Sequence, residues 1–555
     1  MFGAGGGTSS YTEVEQTDLL ILWGSNARET HPIFFHHVLK AVHRGARLFV
    51  VDPRRSSSAQ WADTWLGLDV GTDIALANTV AREIIHAGLA NANFIDHATA
   101  GYEDFRAAVE PWTLEEGERV TGVPAETIRE LAHAYARADR AILCWTLGIT
   151  EHVTAVDNVL SLINLALVTG HVGRWGSGLN PLRGQNNVQG GGDMGAIPNK
   201  LPGFQDIEKN DEARARFEQA WGAPIVPKYG WHLSQMFEGM ERGELRTLYV
   251  MGENPAQSEA DSKKALEALE GLDFLIAQDI LMTKTCEMAD VVFPASASWC
   301  EVDGGTVTNS ERRVQRMRKA LDPPGDARDD HWILSELARR LGHDWGQPTL
   351  EEIWDECRSL SPMHCGMSYR RLEEMGGIQW PCPSEDHPGS PFLHGRLWDE
   401  PAGEPLAPFS VTKWVPPIDE LNDEFPIRLT TGRRLDSYNT GVQSNLYSSP
   451  LRRGETLDLC PEDAEELGVE PGEIVRIRSR RGQVDAPVRL DQGLRPGLAF
   501  MTFHFPDQVD VNLLTIDATD PRSGTAEFKA TAVRIDKLNG DTHQAEAVAG
   551  SEALD

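Results

Sequence analysis

Arg183-Gly184-Gln185-Asn186-Asn187-Val188-Gln189-Gly190-Gly191-Gly192-Asp193-Met194-Gly195 sets one cation in a run of amides and glycines, with almost no apolar residue to bury. Glycine permits positive φ and close approach of backbone to a ligand. Asn and Gln offer both donors and acceptors. An Arg among them can grip a small planar anion through two parallel N–H bonds. The stretch reads as a pocket lining with Arg183 as the anion holder. The competing reading is a surface loop whose Arg caps a helix C-terminus.

The neighbouring elements must hold that loop in place. A helix from about Val153 to Thr169 carries Val156, Val159, Leu160, Ile163 and Leu167, so it is apolar over most of its circumference and should be buried. It delivers the chain to Gly170-His171-Val172-Gly173 and then to Arg183. Pro198 and Pro202-Gly203 mark a turn-rich link beyond the loop. His152 and His171 sit near helix ends, where a lone His caps or faces solvent, and neither is given a role.

Upstream, Asp18-Leu19-Leu20-Ile21-Leu22-Trp23 predicts a buried strand ending at Gly24-Ser25-Asn26. A helix follows from near Thr30 to Gly45 with Pro32 in its first turn. Strand Arg47-Leu48-Phe49-Val50-Val51 then closes on Asp52-Pro53-Arg54-Arg55. Such a β-α-β unit places phosphate near a helix N-terminus and a ribose hydroxyl on the acid. No full G-x-G-x-x-G is present, and a parallel sheet without a ligand is the plainer alternative. Asp73 opens a further helix as an N-cap candidate, and Pro124 starts another. Ala141-Ile142-Leu143-Cys144-Trp145 is a strand with Gly148 and Glu151 beyond its carboxyl end, the edge at which open α/β sheets bind ligands.

A second parallel unit spans Leu245 to Met251, a helix around Lys263 to Leu269, Phe274 to Ala277, and Val291 to Phe293. Its strand ends carry Met251, Gly252 and Glu253, then Gln278 and Asp279. The repeated strand–loop–acid layout suggests a second dinucleotide site. Arg312, Arg313 and Arg316 read as a solvated basic face. Residues from about Ser361 to Pro417 are rich in Pro and Gly and predict irregular chain wrapping the surface. Short strands at Ile427 to Thr430, Ile474 to Arg478, Val484 to Val488 and Leu498 to Phe503, with Pro-Gly turns between, predict a β-barrel.

The balance of 52 basic against 84 acidic residues gives a net charge of −32, which argues against nucleic acid or an anionic membrane as partner. A positive anion pocket would therefore be a local exception. No run of about 18 apolar residues appears, so no membrane segment is predicted. The seven cysteines include no C-x-x-C and are odd in number. That fits a reducing compartment, with the cytoplasm as the default, and no metal site within this chain.

The loop Arg-Gly-Gln-Asn-Asn-Val-Gln-Gly with Asp-Met-Gly resembles the active-site loop of molybdenum-dependent formate dehydrogenases, in the molybdopterin oxidoreductase superfamily. The resemblance runs, with gaps, from about Gly24 to about Lys529. It implies an α/β protein with two Rossmann-like parallel-sheet domains and a C-terminal double-psi β-barrel. It implies formate oxidation at a molybdenum bis(molybdopterin guanine dinucleotide) centre, with Arg183 holding formate and Gln185 supporting the pocket. Gly24, Asn26, Asp52 and Arg54 match dinucleotide-holding positions, and Asp73 lies where the family has the guanine end. Gly148 and Glu151 match cofactor contacts. Met251, Gly252, Glu253, Gln278 and Asp279 fall at the second nucleotide. Arg433, Asn439, His504, Asn512, Phe528 and Lys529 match cofactor-facing barrel positions, whereas Arg434 and Ser437 depart from some relatives.

In the family an iron–sulfur segment of four cysteines, and then a Cys or selenocysteine metal ligand followed by His, precede the first strand. This sequence starts after them. The expectation is therefore a chain shortened at its N-terminus and inactive alone, with a [4Fe-4S] cluster only in the complete chain. An electron-transfer partner or acceptor is also implied. A nitrate-reductase-like oxidoreductase and a non-catalytic scaffold subunit are the alternatives. The expected organisation is 1–185 and 186–295 as the two parallel domains, 296–420 as an irregular segment on the iron–sulfur side, 421–537 as the barrel and 538–555 as a disordered tail.

Overall fold

Runs such as Leu19-Leu20-Ile21-Leu22-Trp23 are apolar on both strand faces, which suits a sheet covered by helices on both sides. The computed structural model, which describes residues 5–297, 304–435, 437, 439–440 and 454–538, builds such a sheet. Five parallel strands lie in the order Thr64–Leu66, Arg47–Val51, Leu19–Trp23, Ala141–Trp145, Gly178–Pro181. The chain winds outward from Leu19–Trp23 in one direction, then returns to its other side at Ala141–Trp145. A crevice opens at such a reversal, at the carboxyl ends of the two central strands. Gly24 and Gly148 sit there.

The helices that cover this sheet follow the apolar periodicity. Pro32–His43 buries Phe34, Phe35 and Val38. Ala155–Thr169 buries an almost continuous run from Ser161 to Thr169 and ends on Gly170 at φ +73°. One correction concerns Asp73. It begins helix Asp73–His86 behind Thr72 as N-cap, and its carboxylate accepts the Trp23 indole N–H at 2.8 Å instead of capping the helix.

The second sheet holds three parallel strands in the order Val291–Pro294, Phe274–Asp279, Thr247–Met251. Between it and the barrel, Thr306–Thr308, Arg313–Arg316 and Ile378–Gln379 form an antiparallel sheet. Two departures from the sequence reading fall here. Arg312 is fully buried, not solvated. Its guanidinium donates to the carbonyls of Gly7 at 2.6 Å, Ser390 at 2.9 Å and Pro391 at 2.9 Å, and also to Trp380 O. The Pro-rich stretch has a small core of its own, because Met367, Trp380 and Cys382 pack with Val314, Trp354 and Leu372.

The C-terminal region closes a six-stranded barrel in the order Ile427–Gly432, Leu498–Thr502, Leu457–Leu459, Gln483–Leu490, Ile474–Arg478, Thr531–Lys537. Two of its pairings are parallel, Ile427–Gly432 with Leu498–Thr502 and Leu457–Leu459 with Gln483–Leu490. The expected tail beyond Leu538, and Glu301 to Asp303 of the polar stretch before Arg312, lie outside the described residues.

Candidate functional site

The crevice at the first sheet and the rim of the barrel together enclose a cavity of about 400 Å³. Its floor is made by the strand ends. Gly24 has φ +57°, and a Cβ there would meet Gly148 backbone at 2.8 Å. A Cβ on Gly148 would meet Gly24 O at 2.5 Å, so both must be glycine for the two turns to cross. Thr146 Oγ1 and the Gly148 N–H both donate to Gly24 O, at 2.7 and 3.2 Å.

Asn26, Asp52, Arg54 and Asp73 line the same cavity. Asn26 Oδ1 accepts from Ser57 and from the N–H and hydroxyl of Ser58, which ties the turns after the first two strands together. Asp52 accepts the Arg54 N–H at 2.9 Å. The Arg54 guanidinium lies 3.5 Å over the Phe500 ring from the barrel.

From the barrel side come Arg433, Asn439 and Lys529. Arg433 Nε donates to Asn439 Oδ1 at 2.8 Å, and Nη1 is buried with no hydrogen-bond partner among the described residues. His504 bolts this loop without reaching the cavity. Its Nε2 accepts the Arg434 N–H at 2.9 Å and its Nδ1 donates to Asn439 O at 2.7 Å. Lys529 Nζ lies 2.6 Å from Glu151 Oε2 and donates to Thr431 O at 3.0 Å. Phe528 sits behind it, with its N–H on Glu151 O and its ring edge-on to Phe503.

Burial governs the electrostatics. It pulls the Lys529 ammonium below the usual lysine range, against the opposing pull of Glu151. It pushes Asp52 and Asp73 up, opposed by Arg54 and His152 respectively. His152, which the sequence reading sets aside as a helix-end histidine that caps or faces solvent, belongs to the interior. It is buried, lines the cavity, and forms a 3.0 Å ion pair with Glu527. Burial, the largest single influence, would depress it, but the Glu527 carboxylate together with Asp73 holds it above its ordinary value.

Arg183 does not line this cavity. It follows the edge strand Gly178–Pro181 and borders an adjoining depression of about 320 Å³. His31, Pro32, Gly184 and Gln185 line both spaces and join them. The His31 ring, missed from sequence, donates from Nε2 to Arg183 O at 2.6 Å. Arg183 Nε donates to Gln189 Oε1 at 2.8 Å, and Nη2 donates to Gly5 O at 2.8 Å. No ion pair holds it among the described residues. The glycine run is not a loop throughout: Val188–Asp193 is a short helix entered through Asn187 at φ +62°. A Cβ on Gly190 would meet Asn187 Oδ1 at 2.1 Å and displace the amide that accepts the Thr308 N–H.

The residues predicted at the second nucleotide gather elsewhere, at the carboxyl ends of the second sheet. Gly252 has φ +66° and donates its N–H to Gln278 O at 2.8 Å. Met251 and Glu253 are exposed at this edge. Gln278 is buried and donates to Asp330 Oδ1 at 2.6 Å. Although Glu253 reaches solvent, the protein packed around it and the Asp279 carboxylate push it up, and burial with Asp330 does the same to Asp279. Asn512 links the barrel to this region by donating to Gln257 O at 3.2 Å.

Comparison with known proteins agrees with this architecture. The family model "Molybdopterin oxidoreductase" matches residues 4–340, and "Molydopterin dinucleotide binding domain" matches 427–532. The chain belongs to the molybdopterin oxidoreductase family. Among named proteins it is similar to formate dehydrogenase alpha subunits. It is 41% identical to the alpha subunit of F420-dependent formate dehydrogenase 2 from Methanococcus maripaludis, over 97% of this chain and 79% of that one. It is 37% identical to formate dehydrogenase H of Escherichia coli, over 97% of this chain and 75% of that one. Acetylene hydratase from Pelobacter acetylenicus shares the fold at TM-score 0.71 and 18% identity, over 95% and 81% of the two chains.

The family's molybdopterin cofactor fits what lines the cavity. A pterin dinucleotide is polyanionic, and Arg54, Arg433 and Lys529 converge from two domains on one space in a protein of net charge −32. The unpartnered Arg433 Nη1 is the kind of buried donor that a phosphate oxygen satisfies.

Proposed function

We propose that this chain carries the formate-oxidising site of a molybdenum-dependent formate dehydrogenase, converting HCOO⁻ to CO₂, a proton and two electrons. The observation that carries this reading is the open end of the Arg183 guanidinium. Its Nε/Nη2 edge is filled by Gln189 and Gly5, which among the described residues leaves Nη1 and the second Nη2 hydrogen as a parallel pair. That spacing matches the two oxygens of a carboxylate. Naming of the similar proteins as formate dehydrogenases supports the substrate.

The cofactor would be molybdenum held by two molybdopterin guanine dinucleotides. One would lie along Gly24, Asn26, Asp52, Arg54, Gly148, Arg433 and Lys529, and the other at Gly252, Glu253, Gln278 and Asp279. When bound, it supplies the two-electron acceptor that no side chain can provide. The protein's share is placement. Arg183 would fix the carboxylate in the depression, and Gln185, which borders both spaces, lies between that seat and the adjoining cavity. Burial lowers the Arg183 pKa only from a very high starting value, so the fork stays cationic. A [4Fe-4S] cluster and a separate electron acceptor complete the proposal. A cytoplasmic setting belongs to it too, supported by six cysteines that stand free among the described residues. No helix among the described residues is long and apolar enough to cross a membrane.

The test is dye reduction by the cofactor-loaded protein with formate or nitrate as the only substrate pair. Formate-dependent reduction with labelled formate recovered as labelled CO₂ is expected. Reoxidation of reduced dye by nitrate, without formate turnover, would favour the nitrate-reductase-like alternative.

A further inference from the structure

Behind Arg183 stands a chain of buried polar groups that the proposed reaction does not use. Gln189 accepts from Arg183 Nε through Oε1 at 2.8 Å, and its amide nitrogen donates to Asp193 Oδ1 at 2.8 Å and to Gly5 O at 3.1 Å. Asp193 Oδ2 accepts the Trp380 indole N–H at 2.7 Å. Gln189, Asp193 and Trp380 are each almost wholly buried. Two donors therefore aim at one carboxylate, one at each oxygen. That arrangement decides which way the Gln189 amide faces: its nitrogen must point to Asp193, so its oxygen must point to Arg183.

The same logic extends to the guanidinium. With Nε and Nη2 engaged by Gln189 and Gly5, the Nη1/Nη2 end is the edge left without a hydrogen bond among the described residues. An arginine with all its edges open could meet a carboxylate in more than one orientation, and only one of these aims the C–H bond. We infer that Gln189, oriented by Asp193 and Trp380, is a positioning residue that presents the terminal edge of Arg183 to the substrate carboxylate. This inference rests on the reading of Arg183 as the substrate holder.

Nitrite has the bent O–X–O outline of formate's carboxylate but no C–H bond, so its equilibrium affinity reports the anion seat without turnover. The experiment measures nitrite Kd by calorimetry on full-length, cofactor-loaded enzyme and its variants, with molybdenum content and melting temperature checked on each. Gln189→Met keeps length and burial but removes both hydrogen-bonding atoms. Arg183 must then be ordered by the ligand itself, and nitrite Kd should rise roughly three- to tenfold. Formate KM should rise in about the same ratio, since the lost interaction acts on bound substrate. A residue that merely supports the fold would lower the melting temperature and leave Kd per loaded site unchanged.

Asp193→Asn is the second variant, should Gln189→Met fail to fold. Asn offers one acceptor where two donors arrive, so the Gln189 amide can flip, and a smaller rise in Kd of roughly twofold or more is expected. Wild-type nitrite affinity in a loaded, folded Gln189→Met or Asp193→Asn protein, alongside weakened binding in Arg183→Lys, would overturn the positioning role alone. Wild-type affinity in Arg183→Lys as well would instead overturn the reading of Arg183 on which it rests.

Discussion

The two parallel sheets repeat one strand–turn layout, yet cations join the carboxylates at the first edge while the second gathers carboxylates. At the first sheet, Arg54, Arg433, Arg434 and Lys529 line the space beyond the strands. At the second, Glu253 and Asp279 sit beyond the strands with Asp330 beside Gln278 and Glu259 close by. Of the four cations lining that space, Arg433, Arg434 and Lys529 come from the barrel and not from the sheet they face. The first edge becomes a polyanion seat only when the barrel docks on it. The second edge owes its acids to its own turns, and carboxylates there suit the N–H groups of a base better than a phosphate.

Breaking the Lys529–Glu151 pair gives the largest effect on that contrast. Lys529→Met leaves the buried Glu151 carboxylate without its ion-pair partner and with only the more distant pull of Arg433, which should cost about 3–5 kcal/mol in denaturant unfolding of the cofactor-free chain. Adding Glu151→Leu should recover most of the loss. If the single variant were as stable as the parent, the pair would not be what joins barrel to sheet.

Arg433→Ala comes next. It removes one charge-assisted donor of about 1.5–3 kcal/mol toward the dinucleotide, so cofactor release should quicken by roughly 10- to 100-fold while the fold persists. Molybdenum retained after gel filtration reads this directly.

The second edge responds to pH rather than to loss of a cation. Burial pushes Glu259 from 4.5 up to about 7. A carboxyl whose pKa is raised on folding adds stability that is complete below its unfolded value and lost as pH rises through its folded one. Stability should therefore fall between about pH 4.5 and 7 from this group. Glu259→Gln should flatten that slope in unfolding curves taken across the window, and an unchanged slope would remove Glu259 from the account. The smallest effect is expected at the rim: Glu253→Gln, on an exposed side chain, should shift stability by no more than about 0.5 kcal/mol and leave the first cavity's cofactor affinity alone.

Much of this was legible in the sequence where local pattern and burial agree. Leu19–Trp23 and Arg47–Val51 announce themselves as doubly covered strands, and Ile474–Arg478 and Gln483–Leu490 as a hairpin. Gly178–Pro181 did not, because Gly-Leu-Asn-Pro looks like a turn. It is a strand because it pairs with Ala141–Trp145 and receives Thr8. Leu457–Leu459 is too short to show a period, yet it holds two barrel neighbours. Arg312 shows the limit most clearly: next to Arg313 it reads as surface charge, and only the carbonyls of Gly7, Trp380, Ser390 and Pro391, distant in the chain, make it interior. At the site, the glycine crossing of Gly24 and Gly148 and the barrel cations came from resemblance to a family. His152, His31 and Gln189 depend on partners that no local pattern reveals.

The central claim is that one guanidinium holds the substrate carboxylate by two parallel bonds. Arg183→Lys keeps the charge and removes the fork. Steady-state kinetics of the cofactor-loaded enzyme should show kcat/KM for formate reduced by about 100-fold, near the upper bound of about 3 kcal/mol for a charged hydrogen bond. A Lys variant that oxidises formate with the parent's kcat/KM would contradict it.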